Sequence, residues 1–159
     1  MSSMQAARLG RGALSGTVAT GVMSLFMLAA RRANWLGTPP PKKLTDRFVR
    51  FLGGSNHRRA NWPMTALNHV AFGAAAGIPF ALVSRRIDTV AGRAITGSLY
   101  GAAIWAAMYQ GLLPALGMMP KPRWDRPGRP TAMALAHLIY GAVLGGLVDA
   151  NLPEPWQDQ

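Results

Sequence analysis

The chain has 159 residues, half of them hydrophobic and only 14% charged, with 17 Lys and Arg against 6 Asp and Glu for a formal net charge of +11. A water-soluble domain carries about a quarter charged residues, so much of this chain is expected to lie out of water. The absence of cysteine excludes disulfides, thiolate metal sites, iron–sulfur clusters and cysteine nucleophiles. The arginines sit in loops instead of along a groove interleaved with aromatics, which argues against a nucleic-acid partner and for anionic lipid headgroups.

The first charge-free stretch, 13–30, follows Arg8 and Arg11. It is long for the apolar core of a signal peptide, and it runs into Ala29-Ala30-Arg31-Arg32 without a small-x-small cleavage site. It is expected to stay as a membrane span. The loop after it holds Arg47, Arg50, Arg58 and Arg59, all placed to meet lipid headgroups, and His57, expected to be solvated. Within that loop, residues 44–52 set Leu44, Phe48, Phe51 and Leu52 against Asp46, Arg47 and Arg50. The spacing suits a short helix in the membrane interface or one packed on the bundle. The second charge-free stretch, 62–84, carries His69. A short basic loop leads to the third at 94–120, whose span is placed at 94–113, and a second basic loop leads to the fourth at 130–148, with its span at 131–148 and His137 inside it. Each stretch is near or above the ~18 residues that mark a membrane-spanning candidate, since a ~30 Å hydrocarbon core needs about 20 residues. The expected fold is all-α: one polytopic membrane domain over 1–159 with four transmembrane helices.

The chain also repeats itself. Residues 66–77, ALNHVAFGAAAG, match 134–145, ALAHLIYGAVLG, at an offset of 68. Leu14-Ser-Gly-Thr-Val18 matches Ile95-Thr-Gly-Ser-Leu99 at 81, and Leu36-Gly37-Thr-Pro-Pro40 matches Leu116-Gly117-Met-Met-Pro120 at 80. Three matches in the same order predict a duplicated two-helix unit, repeat 1 at about 12–84 and repeat 2 at about 93–150. Two spans return the chain to its starting side, so the repeats are parallel, with a pseudo-two-fold along the membrane normal. Every span carries Gly-x-x-x-Gly: Gly12/Gly16, Gly73/Gly77, Gly97/Gly101 and Gly141/Gly145. In lipid such small faces let helix backbones approach closely. Five basic residues lie on the side of the termini and the short loop, and twelve lie in the two long loops. The positive-inside rule then puts the long loops in the cytoplasm and the termini outside, in the periplasm of a bacterial inner membrane.

His69 and His137 fall at equal depth and share a helical face with the glycines at +4 and +8. Two imidazoles facing each other across a bundle are able to ligate a b-type haem or a transition metal, or to hold a quinone. An imidazole in a span also fixes helix register by hydrogen bonding across to a carbonyl, a hydroxyl or the other imidazole, with Asn68, Thr96, Ser98, Tyr100, Tyr109 and Gln110 available as partners. No Asp or Glu lies in any span, which disfavours proton- or cation-coupled transport. There is no nucleophile–base pair, phosphate loop or metal-ligand cluster, and Asp46 and Asp125 in the loops are expected to pair with neighbouring arginines.

A histidine early in an apolar span, Gly111-Leu-Leu-Pro-Ala-Leu-Gly117 with Pro120 after the third span, and His137-Leu-Ile-Tyr-Gly141 in the fourth resemble the YagU-like bacterial inner-membrane proteins. The resemblance covers mainly 65–145; it implies the membrane and the helical fold and carries no activity. The chain is therefore expected to be non-enzymatic, with no obligatory cofactor: a subunit or scaffold in contact with lipid, with other membrane subunits or with itself. A bis-histidine haem or metal protein, and a carrier or channel for a neutral solute, are the other readings.

Overall fold

A computed structural model describes residues 3–36, 42, 45, 46, 49 and 61–148. All regular structure among them is helical. Helix α1 is Ser3–Arg32, α2 is Asn61–Val83, α3 is Val90–Trp105 and α4 is Arg129–Leu147. Three of the helices are long and apolar enough to cross a membrane: those over Gln5–Arg32, Trp62–Arg86 and Arg129–Leu147. The first begins about ten residues earlier than the charge-free window suggests, because Arg8 and Arg11 sit in its opening turns.

Helix α3 has only 16 residues in α-register. The chain stays helical beyond it, through a π-helical stretch Ala106–Leu112 and a last turn Leu113–Ala115. Pro114 supplies the reason. It has no N–H, and its ring clashes with the carbonyl four residues back in a regular α-helix; the wider π turn relieves that crowding.

The helix ends are set locally. Thr89 accepts a hydrogen bond on Oγ1 from the Gly92 N–H (3.0 Å) and starts α3. Asn34, at φ 62°, closes α1 in the left-handed conformation, and the Trp35 N–H reaches back to the Ala30 carbonyl. Gly117, at φ 65°, does the same after Leu113–Ala115, with the Met118 N–H on the Leu113 carbonyl. Leu36 is fully buried whereas Leu116 is 57% exposed.

The helices form an arc in the order α2, α1, α4, α3. The contacts between α1 and α2 and between α3 and α4 are made backbone to backbone. A methyl group on Gly12, Gly16 or Gly77 would come within 3.0 Å of a carbonyl oxygen of the facing helix; so would one on Gly97, Gly101, Gly141 or Gly145. On Gly73 it would strike the Thr20 hydroxyl. By contrast, Gly10, Gly21 and Gly146 have open space around them. The outward faces are apolar, with Leu14, Val18 and Leu25 on α1, Leu67, Phe72 and Leu82 on α2, and Ile95 and Leu99 on α3 all exposed. A bundle in water would carry polar residues there; lipid wets such faces without cost.

Candidate functional site: a cavity between two histidines

The arc does not close. Helices α2 and α3 meet at Tyr100, whose hydroxyl donates to the Ala76 carbonyl (2.7 Å) and whose ring centroid lies 5.3 Å from that of Phe80. Away from that contact they scarcely touch, and the gap opens into a cavity of about 430 Å³. Asn68, His69, Phe72 and Ala76 of α2 form one wall, and Ile104, Met108, Tyr109 and Leu113 form the other. Thr20 and Met23 of α1 and Met133, His137 and Tyr140 of α4 make the back, with Thr45 and Met118 reaching it from the loops.

His69 and His137 both lie eight residues past the start of their helices, about 12 Å along the axis at 1.5 Å per residue. Both line this one cavity, on helices that stand diagonally across the bundle. Each imidazole has its Nδ1 engaged by the protein. His137 Nδ1 donates to the Met133 carbonyl at 2.7 Å, and His69 Nδ1 lies 3.3 Å from Ser24 Oγ. Both rings line the cavity with Nδ1 engaged, which leaves Nε2 as the nitrogen of each that can meet a ligand there. A carbonyl and a hydroxyl are the partner types expected of such imidazoles, but the hydroxyl is that of Ser24 and not one of the side chains named from the sequence. Ser24 sits on α1, and no spacing within α2 points to it.

Near the cavity's loop end lies a cluster built on Asp125. Its carboxylate accepts from the Tyr109 hydroxyl (2.5 Å), from Arg129 Nη1 (2.5 Å) and from the Arg126 backbone N–H (2.7 Å). Arg129 Nε donates in turn to the Leu36 carbonyl (3.0 Å), and Arg126 Nη2 to that of Asn34 (2.9 Å). The side chains of Asp125 and Arg129 are 3% and 7% exposed. The ion pair therefore ties the second loop to the end of α1 and holds Tyr109 on the cavity wall. The pairing of Asp125 with a neighbouring arginine follows the sequence expectation, and Asp46 pairs with Lys42. A signal for this cluster was present in the sequence. Pro-Lys-x-x-x-Asp-Arg-x-x-Arg occurs at 41–50 and again at 120–129, and aligning the loops on Leu36-Gly37 hides it.

The glycines named from the sequence all lie at helix contacts: Gly12 and Gly16 against Gly77 and Gly73, and Gly97 and Gly101 against Gly141 and His137. Gly145 lies against Arg93. Arg47, Arg50, Arg58, Arg59 and His57 fall outside the described residues, as does most of the interfacial helix expected at 44–52; of its residues Thr45, Asp46 and Val49 are described, and they are helical. Among the described residues no group of three or more His, Cys, Asp and Glu is placed to hold a metal ion.

A family profile described as a family of unknown function (DUF6789) matches residues 6–158. No curated protein and no solved structure matches the chain.

Proposed function

Because the chain belongs to the DUF6789 family, whose function is unknown, we propose a function from geometry alone: a non-enzymatic, four-span membrane protein that serves as a ligand-holding subunit or scaffold. The observation that carries this reading is the cavity. A bundle that packs glycine backbone against glycine backbone along two interfaces leaves 430 Å³ between the other two helices and lines it with both histidines. That volume lies in the range of small-molecule sites.

The duplicated hairpin is supported by the contacts themselves. Offsets of 81 in the first helix of each unit and 68 in the second turn Gly16 against Gly73 into Gly97 against Gly141. They turn Gly12 against Gly77 into Arg93 against Gly145. The fourth span is then α3 with its π-helical continuation. A bacterial inner membrane with the long loops in the cytoplasm follows from the arginine distribution. The likeness of 65–145 to the YagU-like proteins rests on its short motifs and adds no activity.

Since the chain has no cysteine, single cysteines report topology cleanly. Arg85→Cys, in the turn after α2, and Arg123→Cys, in the loop before α4, are both at exposed positions. In intact cells an impermeant maleimide should label Arg85→Cys and spare Arg123→Cys. Equal labelling of the two would refute the four-span topology.

A second reading, bis-histidine haem or metal ligation, is favoured by one observation. Each imidazole has Nδ1 held by a protein oxygen and Nε2 open to the cavity, the arrangement in which histidine ligates metals. A visible spectrum and metal analysis of the detergent-purified protein test it. A Soret band that disappears in His69→Ala and His137→Ala would establish that reading over the first.

A further inference from the structure

We infer that the cavity takes an uncharged, largely apolar molecule bearing a hydroxyl group, admitted from the bilayer between α2 and α3 and held at its hydroxyl by the two imidazoles. The inference deepens the ligand-holding reading and rests on it.

The argument starts from where the hydrogens point. Thr20 donates its hydroxyl hydrogen to the Gly16 carbonyl, Tyr140 to the Gly73 carbonyl and Tyr109 to the Asp125 carboxylate. His137 faces a carbonyl with Nδ1. A carbonyl only accepts, so the hydrogen is on Nδ1, and in the uncharged ring Nε2 is an acceptor. Four polar groups of the lining have thus spent their hydrogens on the protein and offer lone pairs to the cavity. The sulfurs of Met23, Met108, Met118 and Met133 add only weak acceptors. His69 is the adaptable member. With the Ser24 hydroxyl donating to its Nδ1, its Nε2 carries a hydrogen toward the cavity.

This pattern selects among ligands. A ketone, ester or quinone carbonyl has no hydrogen for His137 Nε2 and would leave it without a partner. A carboxylate or phosphate would find no cation, since no charged side chain among the described residues lines the cavity, and only the Asn68 amide and His69 Nε2–H to donate to it. A hydroxyl fits both histidines at once: it donates to His137 Nε2 and accepts from His69 Nε2–H. A single metal ion needs far less room than 430 Å³.

The route follows from the broken symmetry. A two-fold relating the two hairpins would pair the α1–α4 contact with an α3–α2 contact. The first is closely packed and the second is open below Tyr100. Asn68 and Phe72 line the cavity and are exposed, so the opening faces outward beside α2. There it meets acyl chains, which suits a ligand that is mostly hydrocarbon.

The test uses dodecanol, dodecanal and methyl dodecyl ether on the full chain in detergent, with binding read by native mass spectrometry under competition. Dodecanol should bind about tenfold more tightly than the aldehyde or the ether, and His137→Phe should bring that ratio close to one without weakening the ether. His69→Ala should shrink it as well, which keeps the test valid if the phenylalanine variant fails to fold. Equal affinities of the wild-type chain for the three probes would overturn the hydroxyl inference and leave a ligand-holding bundle standing. Failure of all three to bind would overturn the ligand-holding reading with it. A co-purifying haem, or a stoichiometric metal displaced by none of the three probes, would replace the inference with the ligation reading.

Discussion

Two adjacent glycines of α4 give a stringent test of backbone-level packing. A methyl group on Gly145 would fall within 3.0 Å of the Arg93 carbonyl oxygen, whereas one on Gly146 would meet nothing within 4 Å. Alanine changes intrinsic helix propensity alike at both positions, so the difference between Gly145→Ala and Gly146→Ala isolates the contact. The obstacle at Gly145 is backbone, which cannot rotate away. The helices must then separate by roughly an ångström, and a gap of that size forfeits a quarter to a half of each atom pair's dispersion energy. In lipid no hydrophobic term replaces the loss. Overpacking of this kind costs about 1–3 kcal/mol, and with a rigid obstacle the upper part of that range is expected. Unfolding in mixed micelles of mild detergent and sodium dodecyl sulfate reads this directly. Gly145→Ala should unfold at a clearly lower fraction of the denaturing detergent than Gly146→Ala, which should be at least as stable as wild type, gaining up to about 1 kcal/mol from helix propensity. Equal behaviour of the two variants would refute the close approach of α3 and α4.

Further outcomes follow from the same contacts. Gly77→Ala should destabilise to a similar extent as Gly145→Ala, because Gly77 meets Gly12 as Gly145 meets Arg93; a harmless Gly77→Ala would count against the repeat. Asp125→Ala removes the partner of a nearly buried Arg129 and should cost about 3 kcal/mol, seen as a lower thermal midpoint in detergent. Asp125→Asn, which still accepts from Tyr109, should cost less, and the reverse order would refute the role given to the cluster. Tyr140→Phe loses the bond to the Gly73 carbonyl and should cost about 1 kcal/mol while leaving the α1–α2 contact intact, as measured by the same denaturation.

Much of the helical layout was legible because charge is so sharply partitioned. The uncharged windows at 62–84 and 130–148 fall within a residue or two of α2 and α4. The windows misjudge α1 because Arg8 and Arg11 lie on its first turns. Gly-x-x-x-Gly located the tight contacts, since a small residue every fourth position marks a helix stripe whatever it packs on. Other features depend on the assembled geometry. The partner of His69 is Ser24, 45 residues away, and only the crossing of α1 and α2 brings them together. The cavity exists because Tyr100 and Phe80 join α2 to α3 at one end alone, and no periodicity records how far two helices diverge beyond a contact. The caps at Asn34 and Gly117 depend on left-handed φ values, which a motif match between Leu-Gly pairs does not test.

The π-helical stretch Ala106–Leu112 has an implication for how the chain tolerates change in length. Each residue of an α-helix turns the chain by about 100°, so deleting one residue there and restoring α-register would swing Tyr109 off the wall it shares with Asp125. Natural chains that gain or lose a residue in this helix should do so here, with the aromatic and the aspartate shifting as a pair.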